Sequence, residues 1–163
     1  TSPYDGGRGL WLRGDGHGGL IPVPGQSSGI KIYGEQRGCA VSDYDHDGRV
    51  DLVVGQNGGE TKLYRNTSAK IGWRIRLQGP PANPNGVGAV VRFQHGKALG
   101  PAREIQAGSG YWSQASSVQV LGAALAPTHL QVRWPGGKVT VSPVPAQARE
   151  LTVDPQGNLS SVP

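Results

Sequence analysis

Glycine and proline together make up about a quarter of this chain, 27 and 13 of its 163 residues. Their usual shares are roughly 7% and 5%, and this density decides what the chain can fold into. An interior glycine costs a helix about 1 kcal/mol and an interior proline about 3 kcal/mol, so a helical bundle or coiled coil is excluded. The apolar residues, 36% of the chain, come in short alternating runs such as Trp73-Arg74-Ile75-Arg76-Leu77. A disordered chain has no need of such runs. The pattern predicts an all-β fold of many short strands joined by tight turns.

Two strands, 9–13 and 19–23, flank the turn Gly14-Asp15-Gly16-His17-Gly18, whose residues tolerate positive φ. Strands at 37–42, 50–55 and 61–65 complete a first segment that closes at Asn66-Thr67-Ser68. A second segment starts near Ile71, with a strand at 73–77. The proline-rich stretch 79–86 is neither helix nor central strand, so it is a rigid loop. Strands follow at 87–94, 102–107, 117–121, 130–134, 139–142 and 150–153, and 123–126 is the only short helix candidate. About seven short strands in about 90 residues is the count of a β-sandwich. The expected division is therefore residues 1–66 and residues 71–163, with only 67–70 between them. The first part is too small to bury its own faces, so it is expected to pack on the second through a shared apolar interface.

The most informative string is Asp43-Tyr44-Asp45-His46-Asp47-Gly48-Arg49-Val50-Asp51, which holds four of the eleven acidic residues. Carboxylates at relative positions 1, 3 and 5 of a curled loop, Asp43, Asp45 and Asp47, point inward. Gly48 supplies the sharp turn, the Arg49 carbonyl faces the same centre, and Asp51 completes the shell. A set made wholly of oxygens suits a hard cation of high coordination number, calcium above all. An EF-hand loop needs a glutamate at position 12, and that position is Val54, so this loop joins two strands. Carboxylates about 4 Å apart repel by about 4 kcal/mol per pair at an effective dielectric of 20. Without its cation the loop is expected to be strained or disordered. The plainer alternative is an acidic hairpin turn that holds no metal.

Gly38–Gly55, with this loop at its centre, resembles an FG-GAP or VCBS repeat, the propeller repeat of integrin α subunits. The resemblance covers about residues 8–66. It implies one blade plus the outer strands of a neighbour, with calcium held by Asp43, Asp45, Asp47, Asp51 and the Arg49 carbonyl. The second half resembles the ASPIC/UnbV domain, which follows such repeats in cartilage acidic protein and many bacterial secreted proteins. The matching pieces are Asn83-Pro84-Asn85-Gly86-Val87-Gly88-Ala89, Gly108-Ser109-Gly110-Tyr111-Trp112-Ser113-Gln114 and Trp134-Pro135-Gly136-Gly137-Lys138. Val118-Gln119-Val120-Leu121-Gly122 departs from that pattern, which more often has a Phe-Gly pair. The resemblance implies partial propeller blades packed on a C-terminal β-sandwich-like domain, in a secreted, extracellular or periplasmic protein.

The remaining features narrow the function class. The net charge of +5 permits acidic partners. Yet Arg74, Arg76, Arg92, Arg103 and Arg133 fall on alternating positions, as on the solvated outer faces of half-buried strands. A nucleic-acid groove needs a basic cluster interleaved with aromatics, and the sequence has none. No apolar run reaches the roughly 18 residues that cross a bilayer. The sequence lacks methionine and opens at Thr1 in turn-like sequence, which suggests a C-terminal piece of a longer chain. The lone Cys39 excludes an internal disulfide, and its strand context suggests a buried, inert thiol.

Arg13-Gly14-Asp15 matches an integrin-recognition tripeptide but falls where a hairpin wants Asp-Gly. The sequons at Asn66 and Asn158 are explained by chance. The four histidines show no zinc spacing, and His46 sits where loop side chains point outward. No nucleophile elbow, phosphate loop or carboxylate pair is legible, so no enzymatic activity is expected. Tyr111 and Trp112, in a Gly/Ser-rich loop, form the best candidate binding surface, against the alternative that Trp112 caps the core. A Lys70 or Lys138 cross-link to an Asn or Asp would staple a fold that lacks disulfides. The function expected is a non-enzymatic, calcium-binding extracellular module for adhesion, scaffolding or recognition of a protein or glycan at the cell surface. The alternative is an accessory, glycan-binding domain of a larger secreted enzyme.

Overall fold

A computed structural model describes residues 9–162. Residues 1–8 and 163 lie outside the described residues, and with them the turn-like opening expected at Thr1. The fold is all-β. The elements in order are β1 (Trp11–Gly14), β2 (Leu20–Val23), the short helix α1 (Gly25–Ser28), β3 (Glu35–Ser42), β4 (Asp51–Asn57) and β5 (Lys62–Tyr64). Then follow β6 (Trp73–Leu77), β7 (Val90–His95), β8 (Ala98–Leu99), β9 (Arg103–Glu104) and β10 (Gln119–Leu121). The last four are β11 (His129–Arg133), β12 (Val139–Pro143), β13 (Glu150–Val153) and β14 (Leu159–Val162).

The strands form several sheets, none closed into a barrel. β1 and β2 make a hairpin, and β3-β4-β5 an antiparallel sheet. The second half holds two larger sheets, ordered β10-β6-β13-β14 and β12-β11-β7-β8, with β9 on the flank of β7. β6 and β13 run parallel, with Ile75 opposite Leu151 and Leu77 opposite Val153. The period of two in a strand sends alternate side chains to one face. Trp73, Ile75 and Leu77 of β6 and Leu151 and Val153 of β13 therefore meet Val91 and Phe93 of β7 and Leu130 and Val132 of β11 in one buried cluster. Each such side chain contributes about 1.5–3 kcal/mol by leaving water. Trp73 meets Phe93 edge-on, ring centroids 5.4 Å apart. The indole N–H of the buried Trp134 donates to Thr140 Oγ1 at 3.0 Å, so that polar atom is satisfied inside the core. The stretch 79–86 is a loop, neither helix nor strand, and it is braced: Asn83 Oδ1 accepts from Val87 N at 2.8 Å while Asn83 Nδ2 donates to Val87 O at 2.9 Å.

Several expectations are corrected. Residues 123–126 are bends and irregular chain, and the short helix lies instead at α1, which ends at Gly29 in the left-handed conformation, φ 78°. The strand expected over 102–107 shortens to Arg103–Glu104, because Ile105 turns into the core and its N–H bonds Ala89 O. Cys39 is exposed: β3 turns Gly38 and Ala40 toward cover and leaves Cys39 and Val41 on the open side. Lys70 and Lys138 are also exposed. Neither has the apolar pocket that would keep an amine neutral for a cross-link.

The joint between the segments differs from the apolar interface expected. The core cluster draws on no residue before Trp73. Among described residues before 67, the buried apolar ones are Ile32 and Val54. What ties the segments is polar: Gly72 N to Gly48 O at 2.8 Å, Ser116 N to Val41 O at 3.0 Å, and Cys39 N to Ser113 Oγ at 2.9 Å.

Candidate functional site

The acidic loop joins β3 to β4, so it is flanked by strands as its sequence requires. Its curl comes from side chains bonding its own backbone. Asp43 Oδ1 accepts from Asp47 N at 3.0 Å, and Asp43 Oδ2 accepts from Gly48 N at 3.0 Å. Asp47 Oδ1 accepts from Arg49 N at 2.9 Å. Asp51 closes the loop, with Oδ2 accepting from Tyr44 N at 3.2 Å and Oδ1 from Asn66 N at 2.8 Å. Gly48 has φ 80°, and a Cβ there would sit 2.7 Å from Ile71 Cγ2. A side chain there would be strained by the backbone angle and would have to push Ile71 aside, so glycine suits the position.

The loop brings together Asp43, Asp45 and Asp51, each offering an oxygen within 4.8 Å of the others'. Asp43 and Asp51 are buried and Asp45 is exposed. Calcium binds oxygen at about 2.3–2.6 Å, so oxygens across one ion lie about 4.6–5.2 Å apart. The three carboxylates therefore fit a hard cation in spacing and in donor type. Asp47 stands outside this trio. Its Oδ2 accepts from Arg49 NH1 at 3.0 Å and from Arg65 NH2 at 3.4 Å. The Arg49 side chain reaches away, its Nε donating to Ala69 O at 2.7 Å. His46 is exposed, at φ 62°.

Arginines offset the charge of the loop. Arg65 Nε meets Asp45 Oδ2 at 2.5 Å, and that hydrogen bond, with the Asp45 charge, raises the Arg65 pKa above its ordinary value. Arg74 NH1 donates to Asp43 Oδ2 at 2.6 Å and to Asp43 O at 3.2 Å, while its Nε reaches Glu150 Oε2 at 3.3 Å. The mutual repulsion expected among the carboxylates is thus balanced in part by the chain itself. Arg74 also corrects the reading of the arginines as solvated: its side chain is 8% exposed. Alternation does point it away from the core under β6, but the acidic loop covers that outer face. Nothing in the linear sequence pairs residue 74 with residue 43.

Tyr111 and Trp112 stand in the open, 68% and 86% exposed. Trp112 caps no core. Their rings lie 6.0 Å apart, tilted by 41°. Trp112 has φ 50°, a left-handed conformation that costs a non-glycine residue on the order of 1–3 kcal/mol. The loop that imposes it is closely braced. Ser109 N donates to Ser113 O at 2.9 Å, Ala115 N to Ser109 Oγ at 2.8 Å and Ser113 Oγ to Tyr111 O at 2.8 Å. Against β3 the approach is so close that a Cβ on Gly38 would sit 2.9 Å from Trp112 O. The Arg13-Gly14-Asp15 tripeptide runs from the end of β1 into the β1–β2 turn, where Asp15 Oδ1 accepts from His17 N at 2.7 Å and Gly19 N at 2.9 Å. These bonds hold the Asp15 carboxyl below its ordinary pKa, the His17 bond most. The carboxylate therefore serves its own turn.

Among the described residues, no helix is long and apolar enough to cross a membrane. No curated protein matches the sequence. The ASPIC and UnbV family model matches residues 79–160, just over half of the 163 residues; it runs from the proline-rich loop into β14 and takes in the strands of the two larger sheets except β6. The chain belongs to the ASPIC and UnbV family.

Proposed function

We propose that the protein is a non-enzymatic, calcium-binding module that works outside the cytoplasm, in adhesion, scaffolding or recognition. The observation that carries this reading is the convergence of Asp43, Asp45 and Asp51 within 4.8 Å, in a loop whose oxygens suit calcium. Residues 8–66 are read as an FG-GAP/VCBS-type repeat segment, a partial propeller blade. Its support is the DxDxDG string between paired antiparallel strands and the scarcity of buried apolar residues in that part. A calcium ion would be held by the three converging carboxylates, with Asp47 and the Arg49 carbonyl completing the shell.

The test is titration calorimetry with calcium chloride, paired with thermal melting in calcium and in chelator. One ion per chain is expected, and at 100 times the dissociation constant it stabilises the fold by about 2.7 kcal/mol. Asp45→Ala, at the exposed member of the trio, should remove most of that gain while the chain still folds. Equal melting temperatures in calcium and in chelator would overturn the reading. The second reading, an accessory glycan-binding domain of a larger secreted enzyme, draws support from the exposed Tyr111–Trp112 pair.

A further inference from the structure

We propose that the cleft between β1, β3 and the 109–113 loop binds a neutral sugar unit of a glycan chain. The proposal deepens the recognition part of the reading above and is independent of the calcium loop. The cavity is about 360 Å³, at the lower end of the roughly 300–1,000 Å³ typical of small-molecule sites. Its floor is apolar, with the buried Ile32 and Val54. Its walls include two aromatic side chains from different segments, Trp11, 46% exposed, and Tyr111, 68% exposed. Trp112, its ring 6.0 Å from that of Tyr111, stands beside the cleft and does not line it.

Three observations select the ligand. First, a flat aromatic ring offers a sugar an apolar face to stack on at little entropic cost. The Tyr111–Trp112 pair is held out by the bracing of its loop rather than by looseness. Second, among the described residues the only charged one lining the cleft is Arg37, and its guanidinium is paired with the Glu35 carboxylate. The described lining therefore carries no uncompensated charge, which favours a neutral ligand over a phosphate or a uronate. Arg37 and Ser109 still leave donors at the rim for hydroxyl groups. Third, a peptide adding itself as a strand would need the free edge of β3. That edge is engaged: Cys39 N donates to Ser113 Oγ and Val41 O accepts from Ser116 N.

The experiment screens the full chain against an array of neutral oligosaccharides, with heparin-derived oligosaccharides and an unstructured aromatic-rich peptide as rival probes. Binding is then measured by tryptophan fluorescence and calorimetry. At least one neutral oligosaccharide should bind, and Tyr111→Ala and Trp11→Ala should each weaken it about tenfold, a loss of about 1.4 kcal/mol. Both side chains are exposed, so unchanged melting temperatures should accompany the loss. Replacing calcium with chelator should change the affinity less than twofold, so a failed calcium titration and a failed sugar titration are separate results. No neutral binder up to about 10 mM, preference for the anionic or peptide probe, or binding indifferent to both substitutions would overturn the proposal.

Discussion

Arg74→Met tests whether a buried ion pair holds the acidic loop to the second half. The side chains of Arg74 and Asp43 are 8% and 2% exposed, and their pair closes at 2.6 Å. Removing one member of such a pair leaves a charge buried without its partner, at a cost of about 3–5 kcal/mol. The contact with Glu150 adds little, because that side chain is 33% exposed and exposed pairs contribute about 0–1 kcal/mol. Methionine keeps much of the volume beneath the loop, so the loss is electrostatic rather than a cavity. For a chain of this size each kcal/mol moves the melting temperature by about 2–4 °C, so the midpoint should fall by about 6–20 °C. The assay is thermal and urea unfolding at neutral pH, with a double-mutant cycle through Asp43→Asn. That second change removes the stranded charge, so the double variant should recover part of the loss, with a coupling of about 0.5–3 kcal/mol. A single-variant loss under about 1 kcal/mol, with no measurable coupling, would refute the reasoning.

Leu130→Ala, at a fully buried position opposite Phe93, should cost about 2–5 kcal/mol in urea unfolding, and a smaller loss would show that the two sheets do not share one tight core. Asp154 sits below the ordinary carboxylate pKa, chiefly through the Asn158 side-chain amide, with backbone N–H groups of Asn158, Gln156 and Gly157 adding to it. A lowered folded-state pKa gives stability that is fully present above the unfolded value and is lost as pH falls through the folded one. The melting-temperature advantage of wild type over Asp154→Asn should therefore hold at neutral pH and vanish in acid, and a constant difference across that range would contradict it. Intact-mass spectrometry should return the mass of the plain sequence, since Lys70 and Lys138 are exposed; a deficit of one ammonia or one water would reverse that expectation.

How much of this was legible in the sequence depends on the range over which each residue acts. β6 and β13 match their expected bounds residue for residue, because a buried face writes its period of two directly into the chain. The loop at 43–51 is readable in part: its turn glycine and three of its four carboxylates lie as the local pattern suggests, while Asp47, expected to point inward, stands outside the trio and pairs with Arg49 and Arg65. β14 was not foreseen. Leu159-Ser160-Ser161-Val162 is a weakly apolar edge strand that gains its place by pairing with β13. Burial of Cys39 was misjudged for a related reason: alternation says which residues share a face, and not which face another layer covers. Arg74 shows the same limit from the opposite side, since an outward arginine becomes buried when a loop 31 positions away folds over it.

These misjudged positions converge on one physical point. The second half closes its own core, with fully buried side chains contributed by both sheets. The first segment buries Ile32 and Val54, while Leu10, Trp11, Leu20, Ile21 and Leu63 stay exposed. Its order therefore depends heavily on the polar ties to β6 and to the 109–116 stretch. Polar ties need exact partners where apolar contact needs only approximate shape, so they fix the register of the acidic loop against the sheet. The Arg74 guanidinium and a bound cation would both compensate Asp43. Arg74→Met should consequently make the fold less stable yet raise calcium affinity, because the ion no longer shares the carboxylates with a fixed positive charge. Opposite signs in one variant would tie the metal site to the joint between the two segments. Weaker or unchanged calcium binding in Arg74→Met would separate them.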